Sequence, residues 1–109
     1  MFHMLTCFNL EPSATVEEFG SKLKEFSSHM RELGLLESTG PIGRRQRHPV
    51  MDTDDERDHE YFFIMSFADR EQCDRAVDKI KSVEEPDASI HKAVYANIHD
   101  PVFICWEDI

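Results

Sequence analysis

Residues Gly40 to Phe67, GPIGRRQRHPVMDTDDERDHEYFFIMSF, constrain the fold more than any other stretch. They read as a glycine turn, a basic run, an acidic run and then the most aromatic segment of the chain. Opposite charges on either side of a polar stretch describe a β-hairpin with complementary arms. In its second arm Tyr61, Phe63, Met65 and Phe67 fall on one face, and Glu60, Phe62, Ile64 and Ser66 on the other. A strand apolar on both faces must be covered on both.

The segments around this hairpin follow from periodicity. Phe2 to Leu10 alternates as a strand, with Phe2, Met4, Thr6, Phe8 and Leu10 on one face and His3, Leu5, Cys7 and Asn9 on the other. Thr15-Val16-Glu17-Glu18 is a capping box. Phe19, Leu23, Phe26, Met30 and Leu33 then make a helical stripe that Gly34 ends. Leu35 to Gln46 is expected to be a strand, irregular at Gly40-Pro41 and Gly43. His48 to Asp58 is expected to be a polar loop, and His59 to Phe67 the third strand. Asp69, with Gln72, caps a second helix that turns Cys73, Ala76, Val77 and Ile80 inward. A break at Val83 to Asp87 separates it from a helix over Ala88 to Ile98, striped by Ile90, Val94 and Ile98. Asp100-Pro101 is expected to stop that helix before a last strand, Val102 to Trp106.

The order β-α-β-β-α-(α)-β is the ferredoxin-like arrangement, an α+β fold with a four-stranded antiparallel sheet. Helices cover one face of such a sheet. The other is apolar here too, and a second copy of the same sheet is the simplest cover. The expectation is a homodimer joined through its sheets into an α/β barrel.

Composition narrows the function classes. With 109 residues and 40% apolar content, the chain is one domain, 1–109, able to bury a core. A net charge of −10 opposes nucleic-acid backbones and anionic membranes. No run approaches the ~18 apolar residues of a membrane span. MFHMLTCFNL lacks the basic region and cleavage site of a signal peptide. Cys7, Cys73 and Cys105 are odd in number and form no CxxC, so reduced thiols in a cytoplasm are expected rather than a disulfide or zinc framework.

The strand order resembles the dimeric α/β-barrel superfamily, which includes cofactor-independent monooxygenases, haem-degrading enzymes, polyketide cyclases and stress-responsive barrel proteins. GPIGRRQ followed by MDTDDERDHEYFFIMSF also resembles an uncharacterised bacterial family within that group, and the likeness spans nearly the whole chain. Cyclase-like branches carry an early-strand histidine, matched by His3. They also carry a His-Pro-x-x-His segment before the last helix, where this chain has Glu85-Pro86-Asp87-Ala88. Cyclase acid–base chemistry is therefore not implied. Haem-degrading relatives need an axial histidine on a helix, and the helical histidines here are His29 and His91. No cofactor is expected.

Four constellations carry possible chemistry. Gly40 to Arg45 is either a hairpin approach or an anion-binding turn in which Arg44 and Arg45 fork around a carboxylate or phosphate. Asp52 to Glu60 is rich in oxygen ligands, yet an EF-hand needs glycine and glutamate where Arg57 and Phe63 stand. No recognised zinc spacing is present, so no metal is expected. The weak candidates are His3, Asp58 and His59, on the expectation that strands 1 and 3 begin side by side. Glu60-Tyr61-Phe62-Phe63 resembles an RNA-binding strand but has no basic surround, and core or interface is the expectation.

The leading function is binding, or weak catalysis, of a small and partly apolar molecule, in the barrel or between sheet and first helix. Its ligand-orienting groups would be Asn9, Tyr61 and Ser66, with His3, Asn9 and Tyr61 as catalytic candidates. The alternatives are a cofactor-independent monooxygenase or isomerase of an aromatic or quinone-like substrate, and a non-enzymatic dimer that uses the charged 44–60 hairpin.

Overall fold

The computed structural model describes residues 1–82 and 84–109. Its elements are β1 (Phe2–Leu10), α1 (Val16–Glu32), β2 (Ser38–Thr39), β3 (Gly43–Arg44), β4 (Tyr61–Phe67), α2 (Arg70–Lys81), α3 (Asp87–Tyr95) and β5 (Ile98–Glu107). Every strand pair is antiparallel. The sheet runs β2-β4-β1-β5, with β3 also on β4. This is the α+β, ferredoxin-like topology.

Local chemistry sets the helix ends. Thr15 Oγ1 accepts the Glu18 amide at 3.1 Å, satisfying a free donor of α1. Gly34 takes the left-handed turn past its other end, at φ 71°. Asp69 Oδ1 accepts the Gln72 amide at 2.8 Å to open α2. Gln72 Oε1 accepts from the Ala68 amide, and its Nε2 donates to Gly34 O, so this side chain ties α2 to the end of α1.

The core lies between sheet and helices. Phe8 and Phe19 are fully buried, their rings 4.7 Å apart, and Phe63 meets Phe8 edge-on at 5.6 Å. Tyr61, Phe63, Met65 and Phe67 all bury their side chains in this layer, as the alternation requires.

The structure corrects several expectations. The second strand is two short pieces: Gly40 still donates its amide to Ile64 O at 2.8 Å, but Pro41, the next residue, has no amide to continue the ladder. The third strand begins at Tyr61, not His59. Leu33 is the C-cap of α1 and is exposed, and Val77 of α2 is exposed too. Val83, the first residue of the expected break, lies outside the described residues. The last helix ends at Tyr95, and Ile98 to Pro101 belong to β5. Asp100-Pro101 marks a β-bulge instead of a helix stop: the register with β1 slips between Cys7 and Asn9, and Asp100 sits at φ 50°. An edge strand tolerates a proline that a central strand does not. His59 is buried beside this bulge, its Nε2 donating to Asp100 O at 2.6 Å.

The sheet face away from the helices is only partly covered. The 45–58 loop lies over Leu5, Cys7, Phe62 and Ile104 at one end. Even so, Ile64, Ile104 and Trp106 remain 37%, 40% and 39% exposed. Within one chain β4 and the middle of β1 are buried on the helix side, and on the other side only Cys7, under the loop, is buried as well.

Candidate functional site

A cavity of about 260 Å³ lies between sheet and helices. Met65 and Phe63 form its floor, Phe26 belongs to the wall from α1, and Ala76 to the wall from α2. The third wall is α3, which presents His91, Val94 and Tyr95 from one helical face. The lining is almost wholly apolar, and its polar atoms come from His91, Tyr95, Cys73 and Lys81.

Burial pushes three of these groups further towards their uncharged forms. His91 stacks between Phe26, at 5.8 Å, and Tyr95, at 4.5 Å. Its partial desolvation lowers the imidazole below the ordinary histidine value, which keeps it neutral at pH 7. Burial raises the Tyr95 phenol and, as the largest cause, the Cys73 thiol. Beside Lys81, the wall therefore offers a neutral imidazole, a phenol and a thiol, able to donate or accept hydrogen bonds while carrying no charge themselves.

The α3 wall is held by one carboxylate. Asp87, 5% exposed, opens α3 and takes a short hydrogen bond from His29 of α1 through Oδ1. Its Oδ2 lies 3.1 Å from Lys79 Nζ of α2. The hydrogen bond from His29, and then that from Lys79, hold Asp87 below the usual carboxylate range. Three helices thus meet at one side chain.

The residues singled out in the sequence lie elsewhere. His3 Nδ1 meets Ser66 Oγ at 2.8 Å, and His3 Nε2 meets Asp108 at 3.0 Å. Asn9 Oδ1 accepts the Glu60 amide at 2.9 Å. Arg44 lies over the Tyr61 ring at 5.5 Å. Arg45 is enclosed: it grips both oxygens of Asp52 at 2.7 and 2.6 Å and donates to the carbonyls of Asp54 and Arg57. The basic and acidic arms therefore pair within one chain, and Arg45 is a bolt for the loop over Cys7. None of these six lines the cavity among the described residues. His3 and His59 are not side by side, because antiparallel pairing sets His3 opposite Ser66. That puts His59 seven residues down the sheet, about 24 Å away, and Asp58 next to it is exposed. Among the described residues, no three His, Cys, Asp or Glu side chains form a metal-binding group.

Sequence reading named His91 only as one of two helical histidines, and it missed Tyr95 as a site residue. The available signal was their i, i+4 spacing beside the apolar Ile90–Val94 stripe.

No protein-family model matches the chain, and no curated protein matches it in sequence. Its fold matches solved structures over nearly its full length. A protein from Arabidopsis thaliana aligns with a TM-score of 0.74 at 6% identity, covering 100% of this chain and 96% of that one. A dimeric ferredoxin-like protein of unknown function from Jannaschia sp. aligns with a TM-score of 0.66 at 14% identity, covering 98% of each. SnoaB, a cofactor-independent oxygenase from Streptomyces nogalater, aligns with a TM-score of 0.60 at 11% identity, covering 99% and 92%. At such identities the likeness speaks for the fold alone.

Proposed function

We propose that this chain binds a small, largely apolar molecule in the cavity between sheet and helices, and that two copies join through their open sheet faces. The observation that carries the reading is the cavity itself, an apolar chamber with few polar groups on its wall. Ligand sites have that character: apolar surface supplies affinity, and a few polar atoms set orientation. A dry cavity of ~150 Å³ already admits benzene, so this one suits one or two fused aromatic rings. Neutral His91 would accept a hydrogen bond from a ligand hydroxyl, and the Tyr95 phenol would donate one to a carbonyl.

Pairing of two sheets would cover Ile64, Ile104 and Trp106 and enclose His3 and Ser66, the polar groups expected inside a barrel. The dimeric Jannaschia protein of the same fold supports this assembly. Three free thiols suit a cytoplasmic protein. No helix among the described residues is long and apolar enough to cross a membrane.

A catalytic version is favoured by one feature. Neutral His91 keeps a ring-nitrogen lone pair that can accept a hydrogen bond from a phenol or hydroquinone and take its proton as the ring gives up electrons. Dioxygen would be the oxidant and the bound ligand the electron donor, as suits a fold shared with a cofactor-independent oxygenase.

Both versions meet one experiment. 1-Naphthol is titrated into the protein by calorimetry, with an oxygen electrode run in parallel. Ala76→Phe places a ring in the cavity and is expected to weaken binding at least tenfold, about 1.4 kcal/mol. Equal affinity in wild type and variant, or no binding to either, would remove the cavity from the account. Oxygen uptake that follows occupancy would add the oxygenase reading.

A further inference from the structure

Three strands bring Ser66, His3 and a carboxylate that follows β5 into one hydrogen-bonded row on the open sheet face. Ser66 Oγ lies 2.8 Å from His3 Nδ1, and both Asp108 oxygens lie 3.0 Å from His3 Nε2. The Trp106 ring packs against the imidazole at 5.1 Å and 30°, which fixes its plane. The three residues are remote in sequence, and it is sheet register that assembles them: Ser66 stands opposite His3 on one side, and Trp106 on the other.

The protons in this row can be assigned. The hydrogen bond from His3, and next the Met1 amino group, hold Asp108 below the usual carboxylate range. An ionised carboxylate only accepts, so the ring nitrogen facing it, Nε2, carries the hydrogen. In the neutral ring Nδ1 then keeps its lone pair and faces the Ser66 hydroxyl, which donates to it. A serine, a base and a carboxylate that orients the base are the parts of a nucleophilic relay, recognised by geometry and not by sequence order.

We propose that Ser66 is a nucleophile activated by His3 and positioned through Asp108, forming an acyl-serine with small activated esters or thioesters. Oγ bonds to the acyl carbon while the bond from that carbon to the leaving oxygen or sulfur breaks. The proton on Oγ passes to His3 Nδ1 and from there to the leaving group. Water then attacks the acyl-serine and gives its proton to Nδ1, and Ser66 takes that proton back. Ile64, Ile104 and Trp106 around the row favour a short aliphatic or aryl acyl group. Ser66 lies within a strand and not on a tight turn that would aim backbone amides at an oxyanion. Activated leaving groups are therefore required and turnover is slow.

The row lies on the opposite face of the sheet from the apolar cavity, so this activity does not depend on binding there; where two sheets pair, the row faces the barrel interior, and the acyl donor must reach it there. The test treats the folded protein with a small fluorophosphonate and with p-nitrophenyl acetate, followed by intact mass and peptide mapping. One adduct on Ser66 is expected, with none in Ser66→Ala. His3→Ala is expected to react about a hundredfold more slowly, with partial recovery on adding imidazole, which a merely structural loss would not show. Asp108→Asn should slow labelling and Asp108→Glu should restore most of it. No adduct on the wild type, an adduct elsewhere, or an unchanged rate in His3→Ala would overturn the proposal.

Discussion

His91 shows how much a single position depends on its surroundings. It is one of six histidines, and in the sequence only its helical position, four residues before Tyr95, sets it apart. Packing between Phe26 and Tyr95 desolvates it and lowers its pKa from the ordinary 6.5. The unfolded chain then takes a proton at a pH where the folded chain resists it. Stability must therefore fall as pH drops from about 6.5 towards the folded value, and level off below it. Urea midpoints measured between pH 7.5 and 5.5 should show this fall in the wild type and a smaller one in His91→Gln. Identical curves would mean that the ring is solvated when folded. His3, by contrast, was a candidate from the start because it lies near the beginning of a strand. Its partner Asp108 was not, since only register reveals that the residue after β5 returns to the first turns of β1.

Among the elements, α3 is the one on which the cavity turns. It is short and has no side-chain N-cap, so its position depends on tertiary contacts more than on propensity. Asp87 supplies the main polar one, between His29 and Lys79. Asp87→Asn keeps the shape and removes the charge. The expected result is faster hydrogen exchange in α3, unchanged exchange in α1, and weaker 1-naphthol binding. Because its folded pKa is depressed, the stability contributed by Asp87 is present above the ordinary 3.8 and lost as pH falls through the folded value. The acid-induced loosening of α3 should thus be present in the wild type and missing from the variant. Exchange that is uniform across α1 and α3 at all pH values would count against this clamp. The caps of α1 and α2 were legible because they are contacts between near neighbours in sequence. The α3–β5 boundary was not, because Pro101 stops a helix in isolation but is accommodated at the bulge of an edge strand.

For the whole molecule, the telling dimension is thickness. The chain measures 44 × 40 × 19 Å, one layer of sheet and one of helices. Such a slab has two large faces of sheet, and helices cover only one. Arg45 and its loop cover part of the other and leave an apolar band across Ile64 and Trp106. If two bands meet, a charge at Ile64 would be buried against its own copy and left unpaired. Ile64→Glu is therefore expected to turn a dimer into a monomer in sedimentation equilibrium while far-UV circular dichroism is unchanged. A wild type that is already monomeric, or a variant that stays dimeric, would move the contact away from this face.

Alternation and helical spacing by themselves determined the order of helices and strands, though not every boundary, and which face of β1 and β4 meets the helices, because these are properties of consecutive residues. Phe8, Phe63 and Phe26 were assignable to a core for that reason. The sequence also determined that the sheet is apolar on both sides, and hence that one chain leaves a face to be covered. Only the tertiary structure decided which side chains share a site. It set His91 and Tyr95 against an empty volume, joined Asp87 to two other helices, and closed Arg45 on Asp52. It also separated His3 from His59 and joined His3 to Ser66 and Asp108. Distances between residues far apart in the chain depend on strand direction and register, and no local pattern records them.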